Sequence, residues 1–325
     1  MTKQRLTKDE LVELVFQLFW AQAHASGKSS IQSIVIPLDK MREELASRSG
    51  TPRQNSKWIS TQVRKYEERE GVRLFDRTKD AHGNDALRVT EELLTFVQKR
   101  HLYRPEKIRL ANGVADFLQS EIASAGDRTA VFLGAGTTVA HLAEILQRRA
   151  AESDLLLDVT THNMGVIEVL THPNHPDERI RLTVEPGWFD PITYSILPSA
   201  PLCAENEFDL VVQGASAVYD GQVYIESERE LAYKREVLAG YSGTKLLVLT
   251  LHEFFADPPA RMHSFGNLHE FDVIVVPRVK RPLENQARGI ACLQSSTCGF
   301  LPTITGWHYQ ILIKQPSREP LRRLS

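Results

Sequence analysis

Ala130-Val-Phe-Leu-Gly-Ala-Gly-Thr-Thr138 is the stretch on which the fold turns. Val131-Phe-Leu133 is a short apolar run of strand type, Gly134 and Gly136 interrupt it, and residues 139–148 continue with apolar positions at helical intervals. A strand, a glycine turn and a helix in that order make a β-α unit. Glycines at such a turn let backbone amides approach an anion, the hydroxyls of Thr137 and Thr138 add donors, and the helix N-terminus adds positive potential. A phosphate or carboxylate fits there. The same turn can also simply close a β-α connection.

Further strand-type runs follow the same plan on the C-terminal side: Leu156-Leu-Asp-Val159, Ile180-Arg-Leu-Thr-Val184, Leu210-Val-Val212, Lys245-Leu-Leu-Val-Leu249 and Val273-Ile-Val-Val276. Apolar runs separated by helical segments predict an α/β Rossmann-like domain with a doubly wound, mostly parallel sheet. In such sheets ligands bind beyond the carboxyl ends of the strands. Thr160-Thr-His162-Asn163 and Gln213-Gly214-Ala-Ser216 end two further runs, so their polar groups are expected to converge on the first glycine turn. Gly306-Trp-His-Tyr-Gln-Ile-Leu-Ile-Lys314 reads as an added strand.

Towards the N-terminus the spacing changes. Thr7 and Glu10 stand in capping-box register before Leu11, Leu14, Val15, Leu18 and Phe19, predicting a helix over residues 7–24. A short strand over 33–37, a helix from Asp39 to about 48, and a second helix from about Asn55 to Gly71 follow. Residues 72–75 and 86–89 read as strands about a turn at Asp80–Asn84, residues 91–99 as a helix, and residues 100–107, with Pro105, as a linker. This is the pattern of a winged helix-turn-helix, mostly α with a small β wing. The domains expected are 1–103 and 104–325.

Charge divides the chain in the same place. Residues 1–110 hold 21 Lys and Arg against 15 Asp and Glu, a net of +6, while the remainder holds 18 against 26, a net of −8, within a whole-chain net of −2. A basic module joined to an acidic one is expected where only the first meets a polyanion. On the second helix of the pair, Ile59, Val63 and Tyr66 share one side. Asn55, Ser56, Lys57, Ser60, Thr61, Arg64 and Lys65 can occupy the other and face duplex DNA, with Arg53, Lys57 and Arg73 on phosphates. The helix could equally pack on a protein partner.

Ile59-Ser-Thr-Gln-Val-Arg-Lys-Tyr-Glu67, followed by Gly71-Val-Arg-Leu-Phe-Asp-Arg77 and Leu87-Arg-Val-Thr90, resembles the DNA-binding domain of LysR-type regulators over roughly residues 38–95. The resemblance implies that Ser60, Thr61 and Arg64 face DNA. Across roughly 108–280, Leu133-Gly-Ala-Gly-Thr-Thr138, Thr160-Thr-His-Asn163, Asp209-Leu-Val-Val-Gln-Gly-Ala-Ser216, Ala232-Tyr-Lys-Arg235 and Lys245-Leu-Leu-Val-Leu249 resemble the effector domain of DeoR-type regulators, which is itself similar to sugar-phosphate isomerases. That resemblance implies a ligand site of Gly134, Gly136, Thr137, Thr138, His162, Asn163, Gly214, Ser216 and Lys234. Its threonines would hold phosphate, Asn163 and Ser216 would contact hydroxyls, and Lys234 would supply a cation. The family's Asp before the glycine turn is Gly134 here, and its later Asp and Lys appear as Thr250 and Glu253.

These readings predict a DNA-binding transcription regulator, a repressor, that responds to a small phosphorylated metabolite. It is expected to act as a homodimer or tetramer, cytoplasmic and without membrane contact, cofactor or catalysis. Two alternatives stay open: an isomerase-like enzyme using His162, Glu185, Asp190 or Lys234, and an adaptor using the winged helix on a protein. His172 and His175 lack a third metal ligand and read as a surface loop. Cys203, Cys292 and Cys298 form no CxxC pair and read as reduced, structural residues.

Overall fold

The computed structural model describes residues 6–26, 31–49, 55–90, 96–124, 126–172, 178–198, 207–255, 258–259, 262–278, 284–295 and 299–315. Arg53, His175, Cys203, Cys298, the start of the helix expected over 91–99, and the basic stretch 318–323 lie outside these residues. The chain divides into two compact units, Met1–Pro105 and Glu106–Ser325.

In the first unit, α1 (Lys8–Ala25) starts where Glu10 N donates to Thr7 Oγ1 at 3.2 Å and Thr7 N donates to Glu10 Oε2 at 2.8 Å, closing the expected capping box. Its buried face, Leu11, Val12, Val15, Phe16, Leu18 and Phe19, forms one wall of the core. β1 (Val35–Pro37), α2 (Leu38–Ser49) and α3 (Ser56–Glu70) follow, and α3 ends on Gly71 at φ 66°, a left-handed cap. β2 (Phe75–Lys79) and β3 (Asp85–Val89) form a hairpin, and β1 adds to β3, giving an antiparallel sheet of order β1-β3-β2.

Two expectations need correcting here. The strand predicted over 72–75 begins only at Phe75, because the buried Glu67 carboxylate takes the Leu74 and Phe75 amides at 2.8 and 2.9 Å and withholds them from a ladder. The linker predicted over 100–107 is largely helical. α4 (Phe96–His101) is followed after two residues by α5 (Arg104–Phe117), with Tyr103 at φ 54° making the break. Pro105 falls in the first turn of α5, where a missing amide costs no helical bond.

The second unit is mixed α/β. Its chain order is β4 (Arg128–Leu133), α6 (Thr137–Glu152), β5 (Leu156–Thr161), α7 (Met164–Leu170), β6 (Ile180–Val184), β7 (Gly187–Asp190), β8 (Ser195–Pro198) and β9 (Leu210–Gly214). β10 (Ala217–Tyr219), β11 (Gln222–Ile225), α8 (Leu231–Gly240), β12 (Thr244–Val248) and β13 (His263–Asn267) come next. β14 (Val273–Pro277), α9 (Glu284–Gln294), β15 (Phe300–Thr305) and β16 (Tyr309–Lys314) complete it.

The main sheet has eight strands in the order β15-β16-β14-β12-β9-β4-β5-β6. From β14 to β6 all neighbours are parallel, and they are the six runs read from the sequence. β16 extends that sheet antiparallel to β14, and β15 follows it. Both faces are covered, which is why the central strands are apolar throughout. Val131, Leu133, Val159 and Val212 pack under α5 and α6, while Phe132 and Val211 pack on the other face under Tyr233, Val237 and Tyr241 of α8 and its following residue.

Winding from β4, the chain lays β5 and β6 on one side and later places β9, β12 and β14 on the other. The order therefore reverses between β4 and β9. Outside the carboxyl ends of strands at such a switch point a crevice opens.

Candidate functional site

On α3 of the first unit, Ile59, Val63 and Tyr66 are buried in the core while Lys57, Arg64 and Lys65 are exposed. Lys57, Ser60, Thr61 and Arg64 stand at i, i+3, i+4 and i+7, so they share the face opposite the buried one. Ser60 and Thr61 are half-buried on that face. Two other expected contacts have local duties. Asn55 is the N-cap, its Oδ1 accepting from Trp58 N at 2.6 Å, and Ser56 Oγ donates to Asp39 Oδ1 at 2.6 Å. Arg64 reaches Glu68 at 3.5 Å, both exposed, and Arg73 reaches Asp76 at 2.7 Å. The Arg64–Glu68 pair, exposed on both sides, is weak and separable.

At the switch point of the second unit, Gly134 N donates to Val212 O at 2.9 Å, and a Cβ on Gly134 would stand 3.1 Å from that same oxygen. The strand ends are thus drawn together by a residue without a side chain. Gly136 has φ 129°, ψ 152°, a conformation open to glycine, and no atom lies within 4 Å of where its Cβ would be. α6 begins at the next residue. Thr137 is half-buried and Thr138 buried; the helix has no side-chain cap.

Asn163 shapes this turn from β5. Its Nδ2 donates to Gly134 O at 3.1 Å and Gly136 O at 3.0 Å, while its Oδ1 accepts from Gly165 N at 3.0 Å. Both amide N–H groups are thereby committed to the fold. Asn163 positions the cradle rather than offering donors to a ligand's hydroxyls, which corrects the role expected for it. Ser216 and Gly214 are half-buried at the end of β9, with Gly214 3.7 Å below Ala135 O by its absent Cβ.

His162 and Lys234 meet on the α8 face of the sheet. His162 is 1% exposed, stacked on Phe132 and edge-on to Tyr233, and neither ring nitrogen has a partner. Burial, with a smaller contribution from the Lys234 charge, pushes its imidazole down to about 3. Lys234 Nζ donates to Gly214 O at 3.0 Å and to Gln213 Oε1 at 3.4 Å, and stands 4.9 Å from the centre of the Phe265 ring. Burial pushes this ammonium down as well.

Further charged groups stand in this unit, and one of them, Lys107, is absent from the sequence reading. Lys107 Nζ, brought from α5, donates to Thr137 Oγ1 at 2.7 Å, placing a cation at the head of α6. Beside it, Glu253 stands where the sequence comparison missed a lysine. Burial pushes its carboxyl up to about 8, against the pull of the Thr250 amide and Lys107 and with the help of Glu106. Glu106 in turn accepts from Leu251 N at 2.8 Å. On the α8 face Glu185, pushed up by burial, accepts from the hydroxyls of Tyr233 and Tyr241. Lys107 had no legible signal because its partner Thr137 lies 30 residues away. Among the described residues no group of three His, Cys, Asp or Glu could hold a metal ion, and no helix is long and apolar enough to cross a membrane.

No protein-family model matches the sequence, and no curated protein matches it. Several solved structures give a partial likeness. Ribose 5-phosphate isomerase A from Methanocaldococcus jannaschii is 13% identical with a TM-score of 0.32, covering 65% of this chain and 79% of that one. A D-ribose-5-phosphate isomerase in complex with phospho-erythronic acid gives 14%, a TM-score of 0.33, and coverage of 66% and 80%. The eIF2B delta subunit from Chaetomium thermophilum gives 12%, a TM-score of 0.36, and coverage of 82% and 72%. Isomerases stand among these structures, so the expectation that the chain carries no catalysis is withdrawn.

Proposed function

We propose that this chain is a DNA-binding transcription regulator, a repressor, whose second unit senses a small phosphorylated metabolite. The observation that carries the reading is the division of α3, with Ile59, Val63 and Tyr66 buried and Lys57, Ser60, Thr61, Arg64 and Lys65 on the free sides. An α-helix followed by a short antiparallel hairpin and carrying cations outward suits the major groove, as in a LysR-like winged helix-turn-helix. Arg73 would contact phosphate.

In the second unit, a DeoR-type sensor, the ligand's phosphate lies on Gly136, Thr137 and Thr138, with Lys107 beside it. Gly134, Gly214, Ser216, His162 and Lys234 line the remainder of the crevice. The active form is a homodimer or tetramer whose helices reach half-sites about 34–36 Å apart. Ligand acts by binding better to one arrangement of that assembly.

The experiment is fluorescence anisotropy of the purified chain on labelled duplex DNA across a salt series, with and without a sugar phosphate. Binding that weakens steeply with salt and shifts with ligand is expected. Failure to bind any duplex at low ionic strength rejects the reading.

One observation favours a second reading. In it Glu253, whose carboxyl burial pushes up, and Lys234, whose ammonium burial pushes down, would be the candidates for proton transfer. An isomerase would exchange a ribose 5-phosphate carbon-bound proton with deuterated solvent, which NMR would detect.

A further inference from the structure

The polar groups under α8 do not balance. Lys234 Nζ spends two of its donors on Gln213 Oε1 and Gly214 O and turns towards the Phe265 ring. Gln213 Nε2 and both nitrogens of His162 are buried without partners, and each of these two residues is 1% exposed. With its oxygen towards Lys234 Nζ, the amide leaves Nε2 as its open group. A neutral imidazole carries one N–H whichever tautomer it adopts. The cluster therefore offers several donors and a single unused imidazole lone pair.

Its charge is unbalanced too. Among the described residues Lys234 makes no ion pair, its bonded partners being two neutral oxygens. Glu230 acts on it only at a distance, its charge favouring the ammonium, and accepts from Ser195 Oγ at 2.9 Å. Leaving such groups buried and unmatched is costly, and most costly for a charge. A water molecule would relieve the donors but not the charge.

We infer that the cluster of Lys234, Gln213 and His162 binds the carboxylate of a ligand, so that the molecule sensed is a phosphorylated acid rather than a phosphorylated alcohol or aldose. A carboxylate brings two oxygens with about four acceptor sites and one negative charge. The aromatic walls of Phe132, Tyr233 and Phe265 give a third oxygen, as on a second phosphate, nothing to bond. Gly214, whose carbonyl holds Lys234, belongs to the half-buried crevice at the switch point, so the cluster adjoins the proposed phosphate cradle. Only the word "phosphorylated" rests on that cradle; the carboxylate rests on the cluster itself.

The test is calorimetric titration of the full chain with matched pairs: 3-phosphoglycerate against glycerol 3-phosphate, and 6-phosphogluconate against glucitol 6-phosphate. At least one acid is expected to bind tenfold or more tighter than its alcohol. Lys234→Met should remove that preference, bringing the acid's affinity down to that of its alcohol. Gln213→Leu, which removes donors without touching the charge, should reduce it severalfold and serves if the first variant does not fold. Equal binding of acid and alcohol at both lengths, or a preference that survives both substitutions, overturns the inference. Binding of gluconate that depends on Lys234, with no binding of inorganic phosphate, would instead overturn the phosphate cradle and leave the carboxylate site standing.

Discussion

Lys107 Nζ lies 2.7 Å from Thr137 Oγ1, a bond that joins α5 to the first residue of α6 across 30 positions of sequence. It gives the glycine turn a fixed cation that the motif itself lacks. Helix termini and glycine amides alone hold anions weakly in water; an ammonium adds a charge-assisted hydrogen bond of about 1.5–3 kcal/mol. Lys107→Met is therefore expected to weaken inorganic phosphate binding roughly 10- to 100-fold. Titration calorimetry reads this directly, and undiminished affinity would remove Lys107 from the cradle.

Glu253 beside it ties stability to pH. Its carboxyl is pushed up to about 8 in the folded chain from an ordinary 4.5. Between those values the native state holds a proton that the unfolded chain has released, so stability is full below the lower value and declines as pH rises through the upper. Thermal melting from pH 6.5 to 8.5, above the range in which His162 acts, should show a falling midpoint. Glu253→Gln, which cannot ionise, should flatten that fall.

His162 acts with the opposite sign. Held down to about 3 from 6.5, it stays neutral in the native state while the unfolded chain takes up a proton. The stability it confers is present above 6.5 and is lost as pH falls towards 3. His162→Phe keeps the stacking on Phe132 and removes the titration, so its acid limb should be shallower than that of the parent. An unaltered acid limb would mean that the ring is protonated in the folded state.

What the sequence discloses and what it hides follow the same physical division. The apolar runs that became β4, β5, β6, β9, β12 and β14 were legible because burial on both faces of a parallel sheet leaves a local signature. The glycine turn was legible for the same reason: Gly136 carries its own conformational requirement. Lys107 was not, since it gains its role from Thr137 on another element, and Gln213 was legible only as a polar group at a strand end, not as the partner of Lys234. Asn163 was legible as a polar residue at a strand end but not as the brace it is, because its partners are backbone carbonyls that any sequence supplies.

Asn55 allows the cap of α3 to be separated from its proposed contact with DNA. Its Oδ1 is occupied by Trp58 N, whereas DNA would be met by its amide N–H groups. Asn55→Ala should lower stability by about 1 kcal/mol, the usual cost of losing such a cap. Asn55→Asp keeps the cap and places a negative charge towards the phosphates. It should retain the melting temperature while weakening duplex binding severalfold, and equal binding by the parent and the aspartate variant would take Asn55 out of the interface.

Glu67 is the residue on which the junction of α3 with the β2–β3 hairpin depends. Only 7% exposed, its Oε1 accepts from Leu74 N and Phe75 N at 2.8 and 2.9 Å, and its Oε2 holds Arg77 at 2.8 Å. Glu67→Ala would strand two buried amides at about 1–3 kcal/mol each and release the arginine. Glu67→Gln keeps an acceptor for the amides and gives up mainly the ion pair with the half-exposed guanidinium, a much smaller loss. Hydrogen exchange followed by mass spectrometry should therefore show protection over residues 74–79 falling by about 100-fold in the alanine variant and by only a few-fold in the glutamine variant. If the two variants exchange alike, the ion pair with Arg77, and not the amide bonds, fixes the hairpin to the helix.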